Sequence, residues 1–243
     1  MKYIFSNPWA VNCSVNLITS EIVTIFNFLK KNTYIKKSFS QESEDLVLFE
    51  LAQFKNFHNG FYVDVGAHHP LRFSNTAIYY QRGWRGINID ATPGSMSEFR
   101  KARPKDINLE CAVSNDCRER LFYVYNEPAL NGIDCDRTSE FAGSQFKLLK
   151  TIPLQTSTLK SILDTHAKNL PSPNFLSVDA EGHDLEVLQS NDWQIYKFEW
   201  VLCEFKIENV SSIASDPIYA FLNGMGYRLK AFTGRTGIFG ISN

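Results

Sequence analysis

The polarity of the chain alternates between two periods. Short apolar runs fall at Phe61–Val65, Trp84–Asp90, Ile107–Val113, Phe175–Asp179, Trp200–Phe205, Tyr227–Phe232 and Gly237–Ile241, bounded mostly by Gly, Pro or polar residues. This is the mark of buried strands. Between them, apolar residues recur at helical spacing. One helix is predicted from a Ser74 cap through Tyr80 to a stop at Gly83. A second opens on Thr92-Pro93, turns Met96 and Phe99 to the core and ends at Pro104. Others are marked by Leu159, Ile162 and Leu163, by Leu185–Gln189, and by Ile218–Leu222 before Gly224. Strands alternating with helices imply a mainly parallel sheet, and the last two runs, around Gly234, imply an antiparallel hairpin.

Two segments depart from this rhythm. In Val15–Leu29, the residues Ile18, Ile22, Ile25, Phe26 and Leu29 share a helical face, which predicts an amphipathic helix covering the domain or a neighbouring copy in a homo-oligomer. Asn16, Glu21 and Asn27 interrupt it too often for a membrane span. From Ser114 to Thr156 the pattern loosens, with β-like runs Leu121–Tyr125 and Thr151–Leu154 around a polar stretch rich in turn residues. It is expected to be an insertion, about residues 115–156, over the rim of a binding site. With no repeat or linker-like stretch, residues 1–243 form one predicted domain, with a helical extension over about residues 1–38.

Composition narrows the function classes. Lys+Arg 25 against Asp+Glu 26 leaves a formal charge of -1, so no bulk field draws the chain to nucleic acid or an anionic membrane, and a small or neutral substrate fits better. Five cysteines without a C-x-x-C pair favour a reducing compartment. The opening MKYIFSNPWAVNCS lacks a basic region followed by an apolar stretch, so a cytoplasmic location is expected.

Ligands of open α/β sheets bind beyond the carboxyl ends of the strands, and acidic residues mark most of these ends. They are Asp64 and Gly66, then Asp90, then Glu110 to Ala112, then Asp179-Ala180-Glu181-Gly182-His183-Asp184, and Glu204. Gly66 permits a sharp turn close to a ligand. Asp90 follows it by 24 positions, near the ~20 expected for an acid that binds ribose hydroxyls. A dinucleotide fingerprint would place a second glycine where His68 stands. That departure fits a cofactor with a ribose but no phosphate, such as S-adenosylmethionine.

The strings SQESEDLVL, YVDVGAHHP, SNTAIYYQRGWRGINIDATPGSM, DINLECAVS and FLSVDAEGHDLEVLQSNDW, which span Ser40 to Trp193, together resemble the FkbM-type methyltransferases. The resemblance implies a class I methyltransferase fold: a Rossmann-like three-layer α/β sandwich whose mainly parallel seven-stranded sheet ends in an antiparallel hairpin. It implies S-adenosylmethionine as donor and often O-methylation of sugars in surface-polysaccharide or natural-product pathways. On it, Asp64, Gly66 and Ala67 belong to the first cofactor motif and Asp90 and Ala91 to the ribose motif. Glu110, Cys111 and Ala112 fall at the adenine edge, and Gln41, Asn75 and Asp179 join the cofactor set.

Methylating a hydroxyl needs positioning and a group to take the proton. Asp179, Glu181 and His183 at one strand end, with His68 from the first loop, are the candidate catalytic residues, Asp179 orienting the donor or acting as base and a histidine taking the proton. Asp179 or Glu181 could instead cap the following helix. The same acids could hold a divalent cation, an alternative to the metal-free reading. Glu204 lines an acceptor pocket or sits in a buried ion pair. Arg72, Arg82, Arg85 and Arg118 meet a nucleotide-sugar diphosphate or are surface charges. Phe122, Tyr123 and Tyr125 stack on an acceptor or pack a core. Competing classes are an NAD(P)-dependent sugar oxidoreductase, which His68 disfavours, and a non-catalytic protein that kept the fold.

Overall fold

The computed structural model describes residues 36–53, 59–168, 170–207 and 209–242. The expected amphipathic helix at Val15–Leu29 and Cys13 lie outside them. In chain order the elements are α1 (Glu44–Leu51), β1 (Phe61–Val65), α2 (Ala77–Gln81), β2 (Arg85–Asp90), α3 (Met96–Ala102), β3 (Ile107–Glu110), β4 (Ala112–Val113), β5 (Glu119–Tyr125), β6 (Gly132–Ile133), β7 (Leu148–Ser157), α4 (Leu159–His166), β8 (Phe175–Val178), α5 (Asp184–Gln189), β9 (Trp200–Glu204), α6 (Pro217–Gly224), β10 (Tyr227–Phe232) and β11 (Thr236–Ile241).

Seven strands form one sheet in the order β10-β11-β9-β8-β1-β2-β3. β3, β2, β1, β8 and β9 are parallel neighbours, while β11 runs antiparallel to both β9 and β10. This is the class I methyltransferase arrangement that the resemblance implied. Strand order reverses between β1 and β8, which opens a crevice beyond their carboxyl ends. A second sheet, β4-β7-β5-β6, is built from the segment after β3.

Both faces of the large sheet are covered because its strands alternate between two apolar sets. Val63, Val65, Ile87, Ile89 and Leu176 pack with Leu159, Leu163, Val187 and Leu222 of α4, α5 and α6. On the other face Tyr62, Phe175, Leu202 and Ile238 meet Leu48, Ile78 and Tyr79 of α1 and α2. Here Phe175 is fully buried, its ring 4.8 Å from Tyr79, 5.7 Å from Tyr62 and 6.0 Å from Trp84.

Local chemistry sets the boundaries. The cap position of α2 is Thr76 rather than Ser74, whose Oγ nevertheless accepts the N–H groups of Thr76 and Ala77. The expected Thr92-Pro93 start of α3 is corrected by three residues, to Ser95-Met96. Asp90 captures the Thr92 N–H at 2.8 Å, Gly94 takes φ 86, and the helix opens only at Met96. The expected strand Ile107–Val113 is split. Cys111 N–H still donates to Asp90, but Ala112 and Val113 turn away to pair with Thr156 and Ser157 in the second sheet. No helix among the described residues is long and apolar enough to cross a membrane.

Replacing Phe175 with Ala empties the centre of the aromatic cluster. Chemical denaturation is expected to show a loss of about 3–5 kcal/mol, as for other buried Phe truncations.

Candidate active site

The crevice is a cleft of about 370 Å³, within the range of small-molecule sites. Backbone contacts among three strand ends form its floor. Gly66 N–H donates to Ile89 at 2.9 Å, and Asp179 N–H donates to Val65 at 3.0 Å. Gly66 takes φ 78, and a Cβ built there would lie 1.7 Å from the Asp179 carbonyl oxygen. Only glycine meets both conditions.

Gln41, Gly66, His68, Asp90, Ala91, Cys111, Asp179 and Glu181, eight of the sequence-derived candidates, line this cleft. The Asp90 carboxylate fastens the loops around it, one oxygen accepting the His68 N–H and the other the Thr92 N–H, both at 2.8 Å. Burial pushes the Cys111 thiol up to about 11, which keeps it protonated and unreactive. Burial also lowers the His68 imidazole, against the pull of Asp90.

Six candidates are not brought to the cleft wall. Asp64 is buried and accepts from Thr76 Oγ1 at 2.7 Å. Ala67 packs with Met96 and Phe99. Asn75 donates to Ser177 Oγ at 3.2 Å, and Glu110 accepts the Gly94 N–H at 2.9 Å. Ala112 is buried in β4. His183 is the main correction: its ring is buried, with Nε2 2.8 Å from Ser114 Oγ and Nδ1 3.9 Å from Glu186.

Capping of the segment after β8 falls to neither Asp179 nor Glu181. Asp184 accepts the N–H groups of Ala180 and Gly182 at 2.9 and 3.0 Å, and burial holds it at about 6 despite them. Glu181, at φ 55, pairs with Arg137 at 2.7 Å. Asp179 reaches solvent through the cleft mouth but is walled by protein elsewhere. Its carboxyl is raised well above the usual range, first by burial and then by Glu204, Glu181 and Asp184. Glu204 also lines the cleft, pushed up to about 7 by burial and then by the same neighbouring acids.

Some cleft residues had no signal in sequence. Arg235, held to Glu42 at 2.9 Å, comes from the β10–β11 turn. Leu130, Ile133 and Phe146 come from the second sheet and its loops, beside Phe122. Two links fix that wall: Arg72 to Glu127 at 2.9 Å, and Asn131 Nδ2 to Thr92 Oγ1 at 3.1 Å. Of the four arginines considered for a diphosphate, only Arg72 lines the cleft, while Arg82 lies over the Phe49 ring and Arg118 beside Asp116. Tyr125 serves packing, its hydroxyl accepting the Arg137 N–H. Among the described residues no three His, Cys, Asp or Glu side chains converge as a metal site requires.

No curated protein matches the chain. Among solved structures it is similar to the METTL16 methyltransferase domain (TM-score 0.48, 11% identity, 84% of this chain and 70% of that one). It is also similar to precorrin-6y C5,15-methyltransferase from Geobacter metallireducens GS-15 (TM-score 0.41, 14% identity, 87% and 92%) and to the N-terminal domain of human METTL16 in complex with SAH (0.43, 11%, 86% and 73%). The model of the methyltransferase FkbM domain matches residues 64–229, a span that holds the Gly66 turn, Asp90, Asp179, Glu204 and the second sheet. The chain belongs to the FkbM methyltransferase family.

Proposed function

We propose that this S-adenosylmethionine-dependent methyltransferase transfers the donor's methyl group to a sugar hydroxyl, in a surface glycan or natural product. The observation that supports the reading is one cleft lined both by the Gly66 turn with Asp90 and by a group of carboxylates and aromatic rings. The Gly66 turn stands beside Asp90, Ala91 and Cys111. Each Asp90 oxygen already accepts one backbone N–H, and a carboxylate oxygen has a second lone pair for a ribose hydroxyl.

Asp179, Glu181 and Glu204 share the cleft lining with apolar residues including Phe122 and Phe146. Carboxylates suit sugar hydroxyls, and aromatic faces suit the C–H surface of the ring. The charge balance favours an uncharged sugar over a nucleotide diphosphate. Arg72 and Arg235 are each paired with a carboxylate, whereas a diphosphate would need guanidinium groups to meet its oxygens. Asp179 orients the reacting groups or accepts the hydroxyl proton. His68 is the histidine at the cleft, and His183 is committed to Ser114.

Gly66→Val is expected to abolish S-adenosylhomocysteine binding by calorimetry, and normal affinity would show that this turn does not hold the donor. Asp90→Ala, in folded protein checked by thermal melting, should weaken the same ligand by about 1.5–3 kcal/mol, the scale of a hydrogen bond to a charged group. The acceptor is tested by turnover against free glycans and nucleotide sugars, with methylation of a glycan hydroxyl expected. On that acceptor Asp179→Asn should cut turnover by roughly 10²–10⁴. Methyl transfer only to a non-sugar acceptor would overturn the substrate assignment.

A further inference from the structure

The cleft floor carries more negative charge than its hydrogen bonds account for. In the parallel pair β8 and β9, Val178 lies opposite Cys203. The next residues, Asp179 and Glu204, therefore leave adjacent strand ends, whose backbones run about 4.8 Å apart, and Glu204 is the foremost of the charges that act on Asp179. Both line the cleft. Glu204 Oε2 is shielded from water and lacks a hydrogen-bond partner, a state that calls for a missing proton or cation.

The surrounding groups sharpen the imbalance. Asp64 lies near Asp179, and Glu181 and Asp184 approach both acids from the segment after β8. Lys206, beyond β9, and Arg235, from the β10–β11 turn, oppose them. However, Arg235 is engaged by Glu42, and Glu181 already holds Arg137. S-adenosylmethionine carries a fixed positive charge on its sulfonium, and S-adenosylhomocysteine, a thioether, does not.

We propose that Asp179 and Glu204 form a carboxylate pair that shares a proton in the empty cleft and exchanges it for the donor's sulfonium charge, so that the cleft selects cationic donor over neutral product. This rests on the donor reading above, with the nucleoside at Asp90, and adds that the sulfur lies beside Asp179 and Glu204. The charges balance through the cycle. Donor binding releases the shared proton. In transfer the C–S bond breaks, its electron pair stays on sulfur, and the O–CH3 bond forms. The hydroxyl proton passes to the pair, which restores its shared proton and single negative charge beside a thioether that carries none.

The test is titration calorimetry of the whole protein with S-adenosylmethionine and S-adenosylhomocysteine, at about pH 6 and about pH 8, in two buffers of different ionisation enthalpy. Both ligands carry the same amino and carboxylate groups, so the ratio of their affinities isolates the sulfonium. The preference for S-adenosylmethionine should grow as the pH rises and the pair gives up its shared proton, reaching about tenfold or more at the higher pH. At the lower pH a proton must leave for each donor bound, so the ratio should shrink and the apparent enthalpy should depend on the buffer. Glu204→Gln should lose the preference at about pH 8 while keeping its affinity for S-adenosylhomocysteine. Asp179→Asn, measured in the same way, serves if that variant does not fold. Equal affinities in the wild type at both pH values, or an unchanged ratio in the variant, would overturn the pair's role. If neither ligand binds, the donor reading itself fails, and this inference with it.

Discussion

The carbonyl of Asp179 occupies the space that any side chain at position 66 would need. That one close approach brings the carboxyl ends of β1 and β8 together where the strand order reverses, and the chemistry is arranged around it. Val65 accepts the Asp179 N–H from one side, while Ile89 accepts those of Gly66 and Ala67 from the other. Three strand ends are thereby locked by backbone alone. Side chains on the cleft walls are free to face a ligand because none is required to hold the floor.

Electrostatics follows from that geometry. Strand ends of a parallel sheet gather in one place, and here they bring Asp90, Asp179 and Glu204 into a single cleft. Asp90 is stabilised by two backbone donors. Glu204 keeps an oxygen with none, so burial and mutual repulsion hold it near neutrality rather than fully ionised. Carboxylates at the strand ends of one sheet thus differ in character because of what their surroundings offer them, not because of their chemistry.

The fold was largely legible because its signals are local. Phe61–Val65 and Tyr227–Phe232 announced themselves by apolar runs between breakers, and both have those bounds in the structure. The errors came where two local signals competed. Thr92-Pro93 has the composition of a helix start, yet Asp90 had already captured the Thr92 N–H. The candidate site was half legible. Residues at strand ends, such as Asp90 and Asp179, were located by position alone. His183 was misplaced because adjacency in sequence does not fix direction: the left-handed residues Glu181 and Gly182 turn the chain and send the imidazole toward Ser114. Arg235, which reaches the cleft from the β10–β11 turn, was not visible at all, nor were Glu42 and Arg137, which hold Arg235 and Glu181 from segments distant in sequence.

The two walls of the cleft belong to different sheets, joined across it by Arg72–Glu127 and Asn131–Thr92. Inheritance can therefore treat them separately. Mutations drifting through β5, β6 and the loops before β7 reshape the wall opposite the acids without touching Gly66 or Asp90, provided those two struts survive. A lineage built on this plan can change what it modifies many times over while its source of methyl groups stays constant.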